Sequence, residues 1–338
     1  MAALEPCPLC GSETVDPYQD AKEALRPNHY VTELERLSDS PGGAATVATV
    51  KCTTCGLLYR TPYFDNEDVA RLFLQGVPQH LQGWRNLEKV LAGERRSGYA
   101  APPELLEWLR MVLGGISLYG EYGCPFHGYL VGEMSSNESL SNTRNLLTRW
   151  RYPFLRKNEG RNAFAQSIAN RLAPPRGVFG RDTSPRPSNV RPLGDRRFIV
   201  HDESVMRWNL GCINYGRSCW QLASCLPNIS ILSRAEVSTS LRGQRLSLLC
   251  FFDTLDHCFD LQTVLDWSFS ASDAILVVGH REDSAGLQHR FALTSASLDF
   301  VAAKYSGWTL TDVANEVDFE LDRSHFWILF RRSSTAAK

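Results

Sequence analysis

Cys7 and Cys10, followed by Gly11, and Cys52 and Cys55, followed by Gly56, are two copies of one pattern, C-x2-C-G. A two-residue spacer lets both sulfurs of a turn point to the same side, which is half of a tetrahedral zinc site with Zn–S bonds of about 2.3 Å. The glycine after each second cysteine stands where the turn needs positive φ and a close backbone approach to sulfur. Residues 11–51 separate the pairs; their Pro- and Gly-bearing segments suit a hairpin with a long loop. Four unrelated thiols or a redox dithiol are the alternatives, and two matched knuckles argue against both. Four thiolates saturate zinc and leave no open position, so such a site is structural. Chemistry has to be sought elsewhere.

The next candidates are Asp253, Asp256 and His257, which follow the apolar run Leu246–Phe252. That run reads as a buried strand, so all three fall at the carboxyl edge of a sheet, where open α/β sheets bind ligands. A histidine there can act as a general base near neutral pH, or simply start a helix with its ring bonded to backbone. Glu121 ends another apolar strand, "ISLYGEYGC", which runs into a glycine turn with His127 inside it. His289 reads as structural or substrate-shaping rather than as a base. Tyr215, Trp220 and Trp267 read as core.

Positioning these residues requires a large scaffold, and 338 residues at 43% hydrophobic can supply one. A net charge of −1 excludes a generally basic nucleic-acid binder. No apolar run reaches the roughly 20 residues that span a bilayer, and "MAALEPCPLC" shows no secretory leader, so a cytoplasmic protein with reduced thiols is expected. The expected organisation is a ribbon at 1–62, a helical connector at 63–115 and an α/β domain at 116–338. In the connector, "NEDVARLFLQG" has apolar residues at helical spacing, and "PPELLEWLRMVLGG" starts with Pro and stops at Gly-Gly. Residues 142–198 hold twelve Arg and one Lys against three acids, inside an insertion at about 134–198. This stretch reads as a solvated loop, as a docking surface for an acidic protein or membrane assembly, or, least in keeping with its few aromatics, as a nucleic-acid contact. Beyond it, strand-like and helix-like segments alternate to the end, which argues for a parallel sheet flanked by helices.

Several of these segments, in this order, resemble class I S-adenosylmethionine-dependent methyltransferases that carry an N-terminal zinc ribbon. "VKCTTCGLLYRTPYFDNEDVARLF" looks like the second knuckle and first helix, "LCFFDTLDHCFDLQTVLDWSF" like the fourth-strand signature, and "LQHRFALTSASLDFVAAKYSGWTLTDV" like the later Ser/Thr-capped helix with its Gly-aromatic turn. The resemblance implies a Rossmann-like class I methyltransferase sheet preceded by a small four-cysteine zinc ribbon. It implies cofactor contacts at Glu121, Gly123, Cys124 and Gly128, with Asp253 facing the cofactor's amino group, and a proton acceptor at His257 or Asp256.

The chain departs from the family pattern at two places. Pro125 and His127 replace two glycines of the cofactor loop, where a Cβ crowds the methionine moiety. With "NLGCINYGRSCWQ" placed at strand two, the ribose-binding acid becomes Ile213, leaving Asn214 as a partial substitute. The resemblance therefore implies transfer of a methyl group to a small molecule, with sugars and polysaccharide units among the acceptors. The alternative is a catalytically degenerate relative that serves as a binding or scaffold subunit.

Overall fold

The computed structural model describes residues 5–18, 48–61, 102–122, 129, 195–201, 228–258, 260–280, 290–321 and 325–333. The chain opens with three short strands, β1 (Val15–Pro17), β2 (Ala48–Cys52) and β3 (Leu58–Thr61), paired antiparallel in that order. Both knuckles form. Gly11 and Gly56 each take φ of 72° and donate their N–H back to Cys7 O and Cys52 O, at 2.8 and 2.9 Å.

Helix α1 (Pro103–Leu113) starts with proline at its first turn and stops at Gly114, which adopts φ of 69°. Gly115 N–H then reaches Arg110 O at 3.0 Å, satisfying a carbonyl the helix end would leave open. The proline start and glycine stop read from the sequence are both found. The other connector helix expected, "NEDVARLFLQG", lies outside the described residues.

A seven-stranded sheet follows, built from β4 (Leu118–Tyr122), β5 (Arg196–His201), β6 (Ile229–Ser233), β7 (Leu248–Phe252), β8 (Ala274–His280), β10 (Trp308–Asp312) and β11 (His325–Arg332); the short β9 (Phe291–Ala292) lies outside it. Its spatial order is β10-β11-β8-β7-β4-β5-β6. The five strands from β8 to β6 run parallel, whereas β11 is antiparallel to both of its neighbours. This mixed α/β sheet fits a Rossmann-like methyltransferase. Connections run outward in opposite senses from β4 and β7, so the topological switch point lies between these two strands.

Successive side chains on each strand alternate between two cores. Leu249, Phe251, Ile275, Val277, Ile328 and Phe330 face one side, and Leu248, Cys250, Leu276, Val278, Trp327 and Leu329 face the other. α2 (Arg234–Leu241), α3 (Leu261–Ala271) and α4 (Ser295–Lys304) cover the first face, and α1 with Tyr129 covers the second. The starts of α2, α3 and α4 are capped by short polar side chains. Ser233 and Thr294 each form a capping box, and Asp260 accepts from Thr263 N at 3.0 Å.

The strand beside β4 differs from the one read in the sequence. "NLGCI" was expected there, but β5, Arg196–His201, pairs with β4 in parallel from Leu118↔Arg196 to Tyr122↔Val200, and β6 lies beyond it. The reason is local. "RRFIVH" brings β-branched and aromatic residues into a short run at the end of an Arg-rich stretch, whose charge masks the strand pattern. Arg197 belongs to this strand and is only 1% exposed, so it forms no part of a solvated surface. "NLGCI", Ile213 and Asn214 lie outside the described residues, as does the Arg-rich stretch before residue 195.

Candidate functional site

Three pieces of chain meet at the carboxyl edge of the parallel strands. β7 ends at Phe252, and Asp253 takes φ of 45°, a left-handed conformation that only Asn and Asp among non-glycine residues adopt readily. Its N–H is held by Val278 O at 2.9 Å, which ties the turn to β8. β8 ends at His280. Because β11 runs the opposite way, its first residue, His325, falls at the same edge and pairs in register with His280.

The side chains converge. Asp253 Oδ1 and Oδ2 lie 3.1 and 3.2 Å from His325 Nε2, and Oδ1 lies 3.6 Å from His280 Nδ1. Asp256 Oδ2 is 3.5 Å from the same His280 nitrogen. The two imidazole rings are 4.6 Å apart, tilted by 46°. All four side chains are largely shielded, from 9% exposure at Asp256 to 23% at His280.

A 3-10 turn at Leu255–His257 carries Asp256, whose carbonyl accepts from Arg290 N at 3.0 Å. The turn is braced by Thr254 Oγ1 donating to Phe252 O at 2.8 Å and by Cys258 N donating to Leu255 O at 3.1 Å. Such an Asp–His constellation can orient an imidazole for proton transfer or hold a cation.

On β4, the strand next to β7 at the switch point, Glu121 is buried on the second face of the sheet. Its Oε1 accepts from Tyr119 hydroxyl at 2.5 Å and from Tyr129 N at 2.8 Å. This carboxylate therefore joins the end of β4 to the backbone just beyond the glycine loop. Burial foremost, then the charge of Glu121, pushes the Cys250 thiol well up, and burial does the same to the Tyr119 and Tyr129 hydroxyls, aided by Cys250 and Glu121.

The expected site residues divide accordingly. Asp253 and Asp256 come together, but Asp253's oxygens face two histidines, a pairing the sequence reading did not anticipate. His257 sits in the 3-10 turn, and its side chain is outside what is described. Gly123, Cys124, Gly128 and Asn214 are also outside the described residues. His280 and His325 were not singled out from the sequence. Each is a lone histidine at one end of an apolar strand, and only the antiparallel pairing of β11 with β8 makes them neighbours.

At the N-terminus, the four sulfurs of Cys7, Cys10, Cys52 and Cys55 lie within 4.8 Å of one another. Cys7 Sγ is 3.5 Å from Cys55 Sγ, and Cys10 Sγ is 3.5 Å from Cys52 Sγ. A tetrahedron with bonds of about 2.3 Å has edges of about 3.8 Å, so a zinc-sized ion fits with little adjustment. The hydrogen bond with Cys55 lowers the Cys7 thiol to about 5 and raises Cys55, while burial pushes Cys10 up to about 11. Four thiolates held this close repel one another, so a bound cation is what would keep them ionised together.

The four-cysteine segment is also joined to the chain between β8 and α4. β3 pairs with β9 through Leu58↔Ala292 and Tyr59↔Phe291, and Thr294 Oγ1 donates to Gly56 O at 2.9 Å.

No family model matches the chain, and no curated protein does. Among solved structures, it is similar to the N-terminal domain of EvdMO1 with SAH bound (11% identity, 69% of this chain and 81% of that one, TM-score 0.31). It is also similar to the methyltransferase domain of bacterial CtHen1 (14% identity, 68% and 95%, TM-score 0.32). A third is Haemonchus contortus phosphoethanolamine N-methyltransferase 1 in complex with phosphoethanolamine and S-adenosylhomocysteine (10% identity, 77% and 46%, TM-score 0.35). Against the longer EvdMO1 chain the match spans 41% of that protein. The fold described above rests on the chain's own strand order and pairings.

Proposed function

We propose that this chain is an S-adenosylmethionine-dependent methyltransferase acting on a small molecule, with sugar or polysaccharide units among the candidate acceptors, and that zinc closes the four-cysteine site as a structural ion. The observation that carries the reading is Glu121. A buried carboxylate at the switch point bonds Tyr129 N and so fixes the two ends of the loop 123–128. The chain leaves β4 after Tyr122 at the carboxyl edge of the parallel strands, where an open α/β sheet receives its ligand.

In this reading Gly123, Cys124 and Gly128 line the cofactor's methionine moiety. With β5 as the second strand, the ribose acceptor passes from the neighbourhood of Asn214 to Asp202 or Glu203, the acids that directly follow β5 in sequence. An ionised acceptor contributes charge-assisted bonds of about 1.5–3 kcal/mol. The bound cofactor supplies a reactive sulfonium methyl group. The protein's part is to align the acceptor with it, exclude water and, where the acceptor carries a proton, take that proton on His257 or Asp256.

The second reading, a degenerate binding or scaffold subunit, is favoured by Pro125 and His127 in the loop and would use the Arg-rich stretch to dock an acidic protein. Relocating strand two removes the missing ribose acid from its support.

Calorimetric titration with S-adenosylhomocysteine separates the two. The enzyme reading expects micromolar binding, weakened at least about tenfold by Glu121→Gln in a variant that keeps its circular dichroism. No heat of binding at about 1 mM ligand overturns it.

A further inference from the structure

We infer that Asp253, His280 and His325, with Asp256 beside them, form a binding site for one divalent transition-metal cation, separate from the four-cysteine ribbon. One ligand atom from each of the first three residues lies within 4.8 Å of the others. For bonds of about 2.1 Å, neighbouring ligand atoms are about 3.0 Å apart in an octahedron and about 3.4 Å apart in a tetrahedron. The contacts of Asp253 with His325 and His280, at 3.1 and 3.6 Å, and of Asp256 with His280, at 3.5 Å, are polyhedron edges of this size.

The donor set is two imidazoles and one or two carboxylates. It suits manganese, iron, cobalt or zinc better than magnesium or calcium, and two imidazoles with one carboxylate leave coordination positions open. With His280 at 23% side-chain exposure, the cluster is shielded but not sealed from solvent.

The backbone around the cluster is specialised in a way that a chance surface ion pair does not require. Asp253 holds φ of 45°, a turn conformation open to aspartate, and its N–H is locked to β8, so its carboxylate is presented from a fixed position. Gly279, next to His280, admits the ring of Phe326, next to His325; a Cβ on Gly279 would stand 2.8 Å from Phe326 Cζ. The register His325↔His280 is thereby fixed from both strands. A purely structural Asp–His hydrogen-bond network is the competing account. It predicts no metal uptake.

The experiment uses the full chain with its ribbon metal in place. MnCl2 is titrated in, and free Mn2+ is followed by electron paramagnetic resonance. Manganese prefers nitrogen and oxygen ligands, so it reports this site rather than the thiolates. The expected result is one Mn2+ per chain with Kd between about 1 and 100 µM, weakened at least about tenfold by His280→Gln and by His325→Gln. No uptake at about 1 mM, or uptake that neither substitution weakens, overturns the inference.

Should both variants fail to fold, the wild-type protein still decides. Added Co2+ gives weak visible bands without thiolate charge transfer if the site is real; no new bands, or thiolate bands alone from exchange at the cysteines, overturn it. Neither readout needs S-adenosylmethionine, so failure here and failure of the methyltransferase reading are separate events.

Discussion

Gly56 of the second knuckle presses on Ala296 at the start of α4: a Cβ placed on Gly56 would lie 2.6 Å from the Ala296 Cβ. The same glycine needs φ of 72°, and its carbonyl accepts from Thr294. Three demands on one residue predict that Gly56→Ala destabilises the protein by about 2–4 kcal/mol, from overpacking and left-handed strain together. Gly11, with the same φ but open space around its missing Cβ, should tolerate alanine better. Paired thermal melts check the contrast; equal losses at the two glycines would refute it.

Cys52→Ser should release the ribbon metal. Elemental analysis is expected to give about one zinc per chain for the parent protein purified without added metal, and close to none for the variant. Because Leu57 and Tyr59 share the first-face core with Phe291 and Leu293, the loss should lower the melting temperature of the whole fold. A metal-free parent with unchanged melting would contradict both statements.

Gly279→Ala tests the cation site without touching a ligand. Displacing the Phe326 ring moves the His280–His325 pair, so Mn2+ affinity should fall several-fold in a protein that still melts cooperatively. The isotherm measures the effect directly.

Cys250 should resist alkylation. Burial and the nearby Glu121 charge push its thiol well up, so at pH 8 it stays protonated and enclosed. Peptide mapping after iodoacetamide treatment should find Cys250 unlabelled in the native protein and labelled after denaturation. Labelling of the native protein would show that the second-face core opens more readily than its packing indicates.

Tyr305 stacks on Phe269 with ring centroids 3.9 Å apart, and its hydroxyl donates to Asp266 at 2.6 Å. Tyr305→Ala should cost about 2–4 kcal/mol, and Tyr305→Phe only about 1 kcal/mol. For the Asp266 carboxyl, partial burial acts upward, but the Tyr305 and Gln262 hydrogen bonds and Lys304 outweigh it and hold it below its ordinary 3.8. A carboxyl lowered in the folded state stabilises fully above its unfolded value, and that contribution is lost as pH falls through the folded one. The gap between parent and Tyr305→Phe in urea denaturation should therefore be constant near neutral pH and close below about pH 4.

The sequence was legible where local chemistry dominates. Proline and glycine bracket α1, the C-x2-C-G pairs place two matching turns, and unbroken apolar runs mark β7, β8 and β11 as strands buried on both faces. It misled where charge overlies a strand: Arg196 and Arg197 made β5 look like the tail of an Arg-rich loop, so the second strand was sought too far along the chain. It was silent on His280 and His325, because register between strands 45 residues apart is set by packing rather than by neighbours in sequence. Asp253 and Asp256 were singled out for separate roles, and what brings their carboxylates together is the two histidines.

β9 has a consequence for how the molecule is made. During synthesis the knuckles and the β2–β3 hairpin leave the ribosome well before the last strand of their sheet, Phe291–Ala292, which follows β3 by about 230 residues. Until then the β3 edge carries unpaired backbone groups, a template for pairing with another nascent chain. Early capture of a metal by the cysteines would hold the hairpin in shape through that wait. Closure by β9 then joins parts of the chain made far apart in time.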